Sequence, residues 1–421
     1  MATSKKTNNP NKRVVYVVSE ELAKVSSLLP SNKNRSLLVH SLASSLGILV
    51  PKQKHNGQHI RLIRPNRATL KDLSVYHTRD YLDFSLNPDN HSENVQQEPN
   101  ESADFGLEDD CPPFRGLDDY IFLVAGASLT GANTLKTDQA DIAICWDGGR
   151  HHAQKARASG FCYVADCVLA ILALRRFVPN PYDNISPAPP SKKPRIMYLD
   201  LDLHFSDSVS QAFYSTSSTN SPQVLTFSIH HAAEGFFPIS PLSSLPAPGS
   251  PTFDPFSLSL PLRPGASNRT FMRIWPIVER VKNLFEPDYI VVQCGLDGLA
   301  GDPMATWNWS LEGEGSLGWC TSRVVHEWDG KKLLLGGGGY NSPNAARAWA
   351  YLTSIAMGKP LSVDTEIPDH RAFPLYGPSF TLDVPAGNMQ DQNNEEYIKS
   401  VEECFEDVLF ALQHRLRQST T

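Results

Sequence analysis

Between Ala140 and Met357 the chain alternates short β-branched strands with amphipathic helices, and that alternation restricts its folding more than any other feature. The spacing predicts strands over Ala140–Trp146, Arg195–Asp202, Val224–His230, Tyr289–Cys294 and Lys332–Gly336. Helices are predicted over Tyr163–Phe177, Val209–Phe213, Phe271–Phe285, Leu311–Trp328 and Ala345–Met357, after an earlier strand Val14–Val18 and helix Tyr120–Thr137. Strands joined by helical crossovers pair in parallel, so the expected fold is α/β: a single domain with a mostly parallel central sheet flanked by helices. Ligands in such folds bind outside the carboxyl ends of the strands.

The length of 421 residues suits one α/β domain with insertions. Pro- and Ser-rich segments near 85–109, 178–194 and 239–256 read as those insertions, within a main domain at 13–385. A polar tail at 1–12 precedes it, and a helical segment at 386–421 follows. A net charge of -7 gives no general basic field, so no direct contact with nucleic acid is expected. No apolar run is long enough to cross a membrane, and the N-terminus has no apolar core of a signal peptide. Seven scattered cysteines without a CxxC pair read as reduced thiols of a soluble, unsecreted protein.

Chemistry collects where strands end. In Tyr198-Leu199-Asp200-Leu201-Asp202-Leu203-His204 the apolar residues face one way, while Asp200, Asp202 and His204 face the other. Alternate strand residues lie roughly 6.5 Å apart, so Asp202 and His204 can share one cation, with Asp200 deeper behind them. With Asp297, past another strand end, they make an O, N, O set with an open fourth position, which suits catalytic zinc. Asp147-Gly148-Gly149-Arg150-His151-His152 supplies two adjacent imidazoles for moving protons, and Asp200 and Asp207 are natural carboxylates to orient them. Gly336–Gly339 lacks the Lys-Ser or Lys-Thr of a phosphate loop and instead delivers the hydroxyl of Tyr340 toward a developing oxyanion. Gly160-Phe161 and Gly235-Phe236-Phe237 place aromatic rings that could grip a slim methylene stem such as that of lysine. Asp110, in the stiff turn Asp109–Pro113, puts a carboxylate at the rim.

Several runs together resemble one family: Asp110-Cys111-Pro112, Gly148–His152, Ser159–Tyr163, Asp200–His204, Gly295-Leu296-Asp297 through Gly301–Met304, Gly336–Asn341 and Ile367–His370. In this order they resemble the zinc-dependent histone deacetylases, class I branch, over roughly residues 14 to 385. The resemblance implies an arginase/deacetylase-like fold and hydrolysis of the acetyl amide of N-ε-acetyl-lysine in histones or other proteins. It implies one zinc on Asp202, His204 and Asp297. His152 is then general base and acid, His151 the assisting imidazole and Tyr340 the oxyanion donor. Gly160, Phe161, Phe237 and Met304 would meet the substrate stem, Asp110 its backbone, and Arg35 would line an inner acetate channel. A monovalent cation such as K+ is implied near Asp200, Asp202, His204, Ser228 and Ile229. A corepressor complex and nuclear residence, with the cytoplasm as an alternative, are implied too; Lys192-Lys193-Pro194-Arg195 is only a faint basic cluster.

Three departures from the family pattern bear on activity. Phe205-Ser206-Asp207-Ser208 stands where His-Gly-Asp-Gly is usual, and serine at a positive-φ position would be strained and tilt His204 or Asp207. Arg150 replaces an apolar residue and sets a cation near the imidazoles, favouring their neutral form. The Pro/Ser insertion after Phe237 reshapes the rim. Active deacetylation is the expected outcome, with a weakly catalytic acetyl-lysine-binding scaffold as the alternative. An acetylpolyamine deacetylase or a two-manganese ureohydrolase is a lesser one.

Overall fold

The computed structural model describes residues 12–49, 60–91, 99–176, 193–215, 223–304 and 306–418. Residues 1–11, most of the 178–194 segment and Lys192 of the basic cluster lie outside the described residues.

Eight strands form one sheet: β1 Val14–Val17, β2 Ile60–Ile63, β3 Ile142–Cys145, β4 Ile196–Asp200, β5 Val224–His231, β6 Ser257–Leu262, β7 Tyr289–Gln293 and β8 Lys331–Leu335. All pair in parallel, in the spatial order β2-β1-β3-β8-β7-β4-β5-β6. The central strands are buried on both faces, which is why they read as apolar runs: in β4, Met197 and Leu199 enter one core layer while Ile196 and Tyr198 enter the other. Helix Ser342–Ala356 packs on helix Arg35–Ser45 in the first layer, and helix Leu117–Lys136 on helix Asp166–Arg175 in the second. Helix Asn268–Phe285 packs against helix Glu395–Gln418. No described helix is long and apolar enough to cross a membrane.

The four strands whose ends carry the candidate residues, β3, β8, β7 and β4, are adjacent at the middle of the sheet. Their carboxyl ends therefore converge on one rim of the sheet.

Some elements differ from expectation for local reasons. Past Asp200 the backbone leaves the sheet, because its N–H groups turn to carboxylates: Asp202 N donates to Asp200 (3.0 Å) and Leu203 N to Asp297 (3.0 Å). Leu201 and Leu203 still bury opposite Asp200. The predicted helix Leu311–Trp328 is an α-helix only over Leu317–Ser322, followed by a π-turn at Arg323–Glu327. Gly313 and Gly315, at φ 96° and 78°, keep the preceding segment out of the helix, and Ser316 caps its start by accepting from Trp319 N at 3.1 Å. Strands β2 and β6 lie outside the predicted alternation; both are sheet edges, β2 half exposed around Arg61, and β6 a short Ser-Leu-Ser-Leu-Pro-Leu run in which an edge position tolerates Pro261.

Candidate active site

Asp202, His204 and Asp297 come together, each offering a ligand atom within 4.8 Å of the others, and all three are buried. Nδ1 of His204 lies 2.9 Å from Asp297 Oδ2 and 3.3 Å from Asp202 Oδ1. Burial and then the neighbouring Asp202 push the Asp297 carboxyl up to about 6. Burial alone would lower His204, but hydrogen bonds to Asp202 and Asp297 carry it up to about 10. Two buried carboxylates thus crowd one imidazole, and a divalent cation among the three would relieve that crowding. Oxygen, nitrogen and oxygen donors fit zinc.

The cluster is held by groups in its second layer. Gln293, at the end of β7, donates from Nε2 to Asp202 Oδ2 at 2.8 Å and accepts from Gly295 N at 2.7 Å. Gly338 N donates to the same Asp202 oxygen at 2.8 Å, and a Cβ on Gly338 would stand 2.3 Å from Asp297 Oδ2, so only glycine lets the turn come this close. Phe236 stacks on the His204 ring, with centroids 5.1 Å apart and planes at 12°.

His151 and His152 are both buried, with ring centroids 3.9 Å apart. Each turns Nδ1 to a separate carboxylate: His151 to Asp200 and His152 to Asp207, both at 2.8 Å. Burial alone would depress His151, but Asp200 and Asp202 push it up to about 9. His152 goes the other way, lowered by burial and then by the charge of His151. One imidazole is charged at neutral pH and its neighbour is a neutral base.

Tyr340 follows the glycine turn, and its backbone N donates to Asp302 at 2.6 Å, with Asn341 N donating to the same oxygen at 3.0 Å. Asn341 then caps helix Ser342–Ala356 by accepting from Asn344 N at 3.1 Å. Helix start and turn together fix the tyrosine. Burial and then Asp297 raise its hydroxyl well above 10, so it remains an O–H donor. Phe161 meets the Tyr340 ring at 5.5 Å, and Phe237 meets His152 at 4.9 Å. Gly160, at φ 55°, admits both walls, since a Cβ there would be 2.5 Å from the His152 ring and 2.8 Å from Phe237. Asp110 Oδ2 accepts from Gly160 N at 2.8 Å, while Phe237, Ile239 and Met304 are exposed. Ser228 sits beside Asp200 in the β4–β5 register, with buried Ile229 next to it.

The departures resolve differently from expectation. Ser206 has φ -76° and Ser208 lies inside helix Asp207–Phe213, so neither is strained and Asp207 reaches His152 undisturbed. Phe205 is buried against the His230 ring at 4.9 Å. Arg150 is not the charge acting on the imidazoles. Its guanidinium lines a separate inner cavity, with Nη2 donating to the Asp147 carbonyl at 3.2 Å, and the cation that keeps His152 neutral is His151.

Sequence reasoning missed Gln293, Asp302 and Phe236 as supports. Gln293 carried a visible signal, one polar residue closing an apolar strand; Asp302 and Phe236 gain their roles only from tertiary packing.

An O, N, O cluster with carboxylate-backed imidazoles, at the carboxyl end of a parallel sheet, has the chemical makeup of a metal-assisted hydrolytic site. Residues 29–356 match the histone deacetylase domain. Over 391 residues the chain is 36% identical to Histone deacetylase 8 of Danio rerio, covering 92% of this chain and 93% of that protein. It is 35% identical to Histone deacetylase 8 of Xenopus tropicalis, covering 92% and 95%, and 33% identical to Histone deacetylase 1 of Homo sapiens, covering 91% and 72%. The chain belongs to the histone deacetylase family.

Proposed function

We propose that the chain is a protein lysine deacetylase that hydrolyses the acetyl amide of N-ε-acetyl-lysine to lysine and acetate. The observation that carries this reading is the buried Asp202, His204, Asp297 cluster, within 4.8 Å, beside a neutral His152. Asp202, His204 and Asp297 would hold zinc, which when bound would supply Lewis acidity for the acyl carbonyl and for a water.

The chain's own residues do the rest. With Nδ1 tied to Asp207, His152 keeps Nε2 free to take the water's proton and return it to the leaving amine. Burial and then the neighbouring His151 lower that base, and the Tyr340 hydroxyl donates to the tetrahedral oxyanion. Phe161, Phe237 and Gly160 enclose the lysine stem, with Met304 at the rim. Asp110 holds the substrate backbone, and Arg35 lines the space behind the acyl group. A monovalent cation such as K+ near Asp200, Asp202, His204, Ser228 and Ile229 would steady the floor beneath the metal.

The substrate in this reading is an acetylated protein, a histone tail or another, in keeping with the printed names of the relatives, and the family resemblance puts the chain in the nucleus and in a corepressor complex. The chain spans residues 13–385 as catalytic domain in this reading. Acetate release from an acetyl-lysine peptide by the zinc-loaded chain tests it, with Tyr340→Phe assayed beside it. Release that the substitution abolishes supports the reading; no release from the folded, zinc-bound chain overturns it.

A further inference from the structure

The two imidazoles ride on a loop, and tethers hold that loop where a helix or strand would hold itself. Upstream, Gly149 N and Arg150 N donate to Asp166, at 2.9 and 2.7 Å. Downstream, the tethers run to the short helix Asp207–Phe213. The Ser208 hydroxyl donates to the Ala153 carbonyl, and Gln154 Nε2 donates to Asp207 Oδ2 at 2.7 Å. The other oxygen of Asp207, Oδ1, is the one that meets His152 Nδ1 at 2.8 Å. One carboxylate is thus shared between an amide and the base, and the residues next to them in the chain, Ser208 and Ala153, are joined as well, both fully buried.

Neither member of the His152–Asp207 pair is oriented by its own torsions. The last torsion of histidine and of aspartate is broad, so the planes of ring and carboxylate are set by what each bonds. Gln154 takes one carboxylate oxygen and thereby turns the other to the ring, while Ser208 holds the backbone one residue past the ring. The amide is itself well founded: Gln154 N donates to the Arg157 carbonyl at 2.9 Å, and Thr78 N to the Lys155 carbonyl at 2.9 Å. Ser208 stands where glycine is usual in the family pattern, and glycine has no hydroxyl to offer. The departure that threatened strain instead adds a bond.

We propose that Gln154 and Ser208 form a two-point clamp and are positioning residues for His152. The proposal rests on the deacetylase reading, in which His152 moves the proton. A base turned off line transfers its proton poorly while substrate still binds, so the clamp acts on kcat and leaves KM alone.

The zinc-loaded chain is assayed on an acetyl-lysine peptide beside three variants. Gln154→Met keeps the length of the side chain and loses the donor; Ser208→Ala and Ser208→Gly lose the hydroxyl. In each, kcat is expected to fall about ten-fold or more, with KM within about two-fold of the wild type. A double-mutant cycle separates positioning from general loosening. On an Asp207→Ala background Gln154→Met has no carboxylate left to turn, and is expected to change kcat by less than about two-fold. Wild-type kcat in the variants of either residue, or a Gln154→Met loss that persists on Asp207→Ala, overturns the clamp. Should the Ser208 variants fail to fold, the cycle at the half-buried Gln154 decides alone. A wild type without turnover would refute the deacetylase reading, and the clamp is then read from solvent exchange of the His152 Nδ1 proton, a downfield NMR resonance missing from His152→Ala. Exchange about ten-fold faster in Gln154→Met supports the clamp, and unchanged exchange overturns it.

Discussion

On one side of the turn Gly336–Gly339 stand two carboxylates, Asp202 and Asp297, and on the other two guanidiniums, Arg35 and Arg150. Both pairs are buried, yet they are built differently. The carboxylates receive N–H groups from Leu203, His204, Gly338 and Gln293 and share the His204 ring nitrogen between them. The guanidiniums donate only to carbonyls, and Arg150 Nε is buried with no partner. A shell of N–H donors holds the acidic side, whereas on the basic side Arg35 is anchored by two carbonyls and the Trp349 ring and Arg150 by one carbonyl. The glycine turn, one residue thick, keeps the two apart.

If the acidic side is the tuned one, substitutions there should cost catalysis before stability. His152→Ala removes the base and should lower kcat/KM on the order of 10² to 10⁴ with the thermal midpoint nearly unchanged. Steady-state assays on an acetyl-lysine peptide, with thermal unfolding in parallel, check both halves. Tyr340→Phe removes only a hydroxyl and should cost on the order of 10² to 10³ in kcat, with KM little altered. A KM effect alone would make the tyrosine part of the substrate wall.

The donors behind the ligands should matter next. Gln293→Leu leaves Asp202 without its side-chain donor, and zinc affinity should fall about 10- to 100-fold, read by competition with a chelator. Unchanged affinity would mean the shell is packing and not tuning.

The imidazole pair gives a pH test with a definite sign. His152 is lowered below 6.5 by burial and by His151, and Asp207 opposes that shift. Wild-type activity should therefore persist as pH falls to below 6.5 and fail as His152 gains its proton. Asp207→Asn removes the opposing carboxylate, so the acid limb of kcat/KM should move to lower pH by about one unit, while the plateau drops because the ring loses its anchor. An acid limb that moves upward would show another group controls it.

How much of this contrast could be read from the chain depended on what each feature uses. The parallel sheet was legible because strands buried on both faces must be apolar runs, and the acidic side was legible because its residues follow four such runs in order. Edge strands β2 and β6 were not: β2 is half exposed with Arg61 in its run, and β6 carries serines and Pro261 next to a Pro/Ser-rich segment. Nor was the place of Arg150: beside two histidines it reads as their neighbour, but with its backbone N held by Asp166 at 2.7 Å its side chain lines the cavity with Arg35. The feared strain at Ser206 and Ser208 depended on φ, which residue type alone does not reveal.

The smallest effect is also the sharpest comparison within the basic side, measured as unfolding free energy in carboxylate-free buffer. Arg35→Leu gives up two carbonyl partners, at 3.1 and 2.8 Å, and its seat on Trp349, and should cost about 2–4 kcal/mol. Arg150→Leu gives up one bond, at 3.2 Å, and removes a buried cation whose Nε has no partner and whose nearby carboxylates, Asp166 and Asp147, are bonded to Ser128 and His40, so the gain offsets the loss. Its stability should lie within about 1 kcal/mol of the wild type or above it. A loss for Arg150→Leu as large as that for Arg35→Leu would mean that the second guanidinium is held by the fold for the fold's own sake, and that the two sides of the turn are built alike after all.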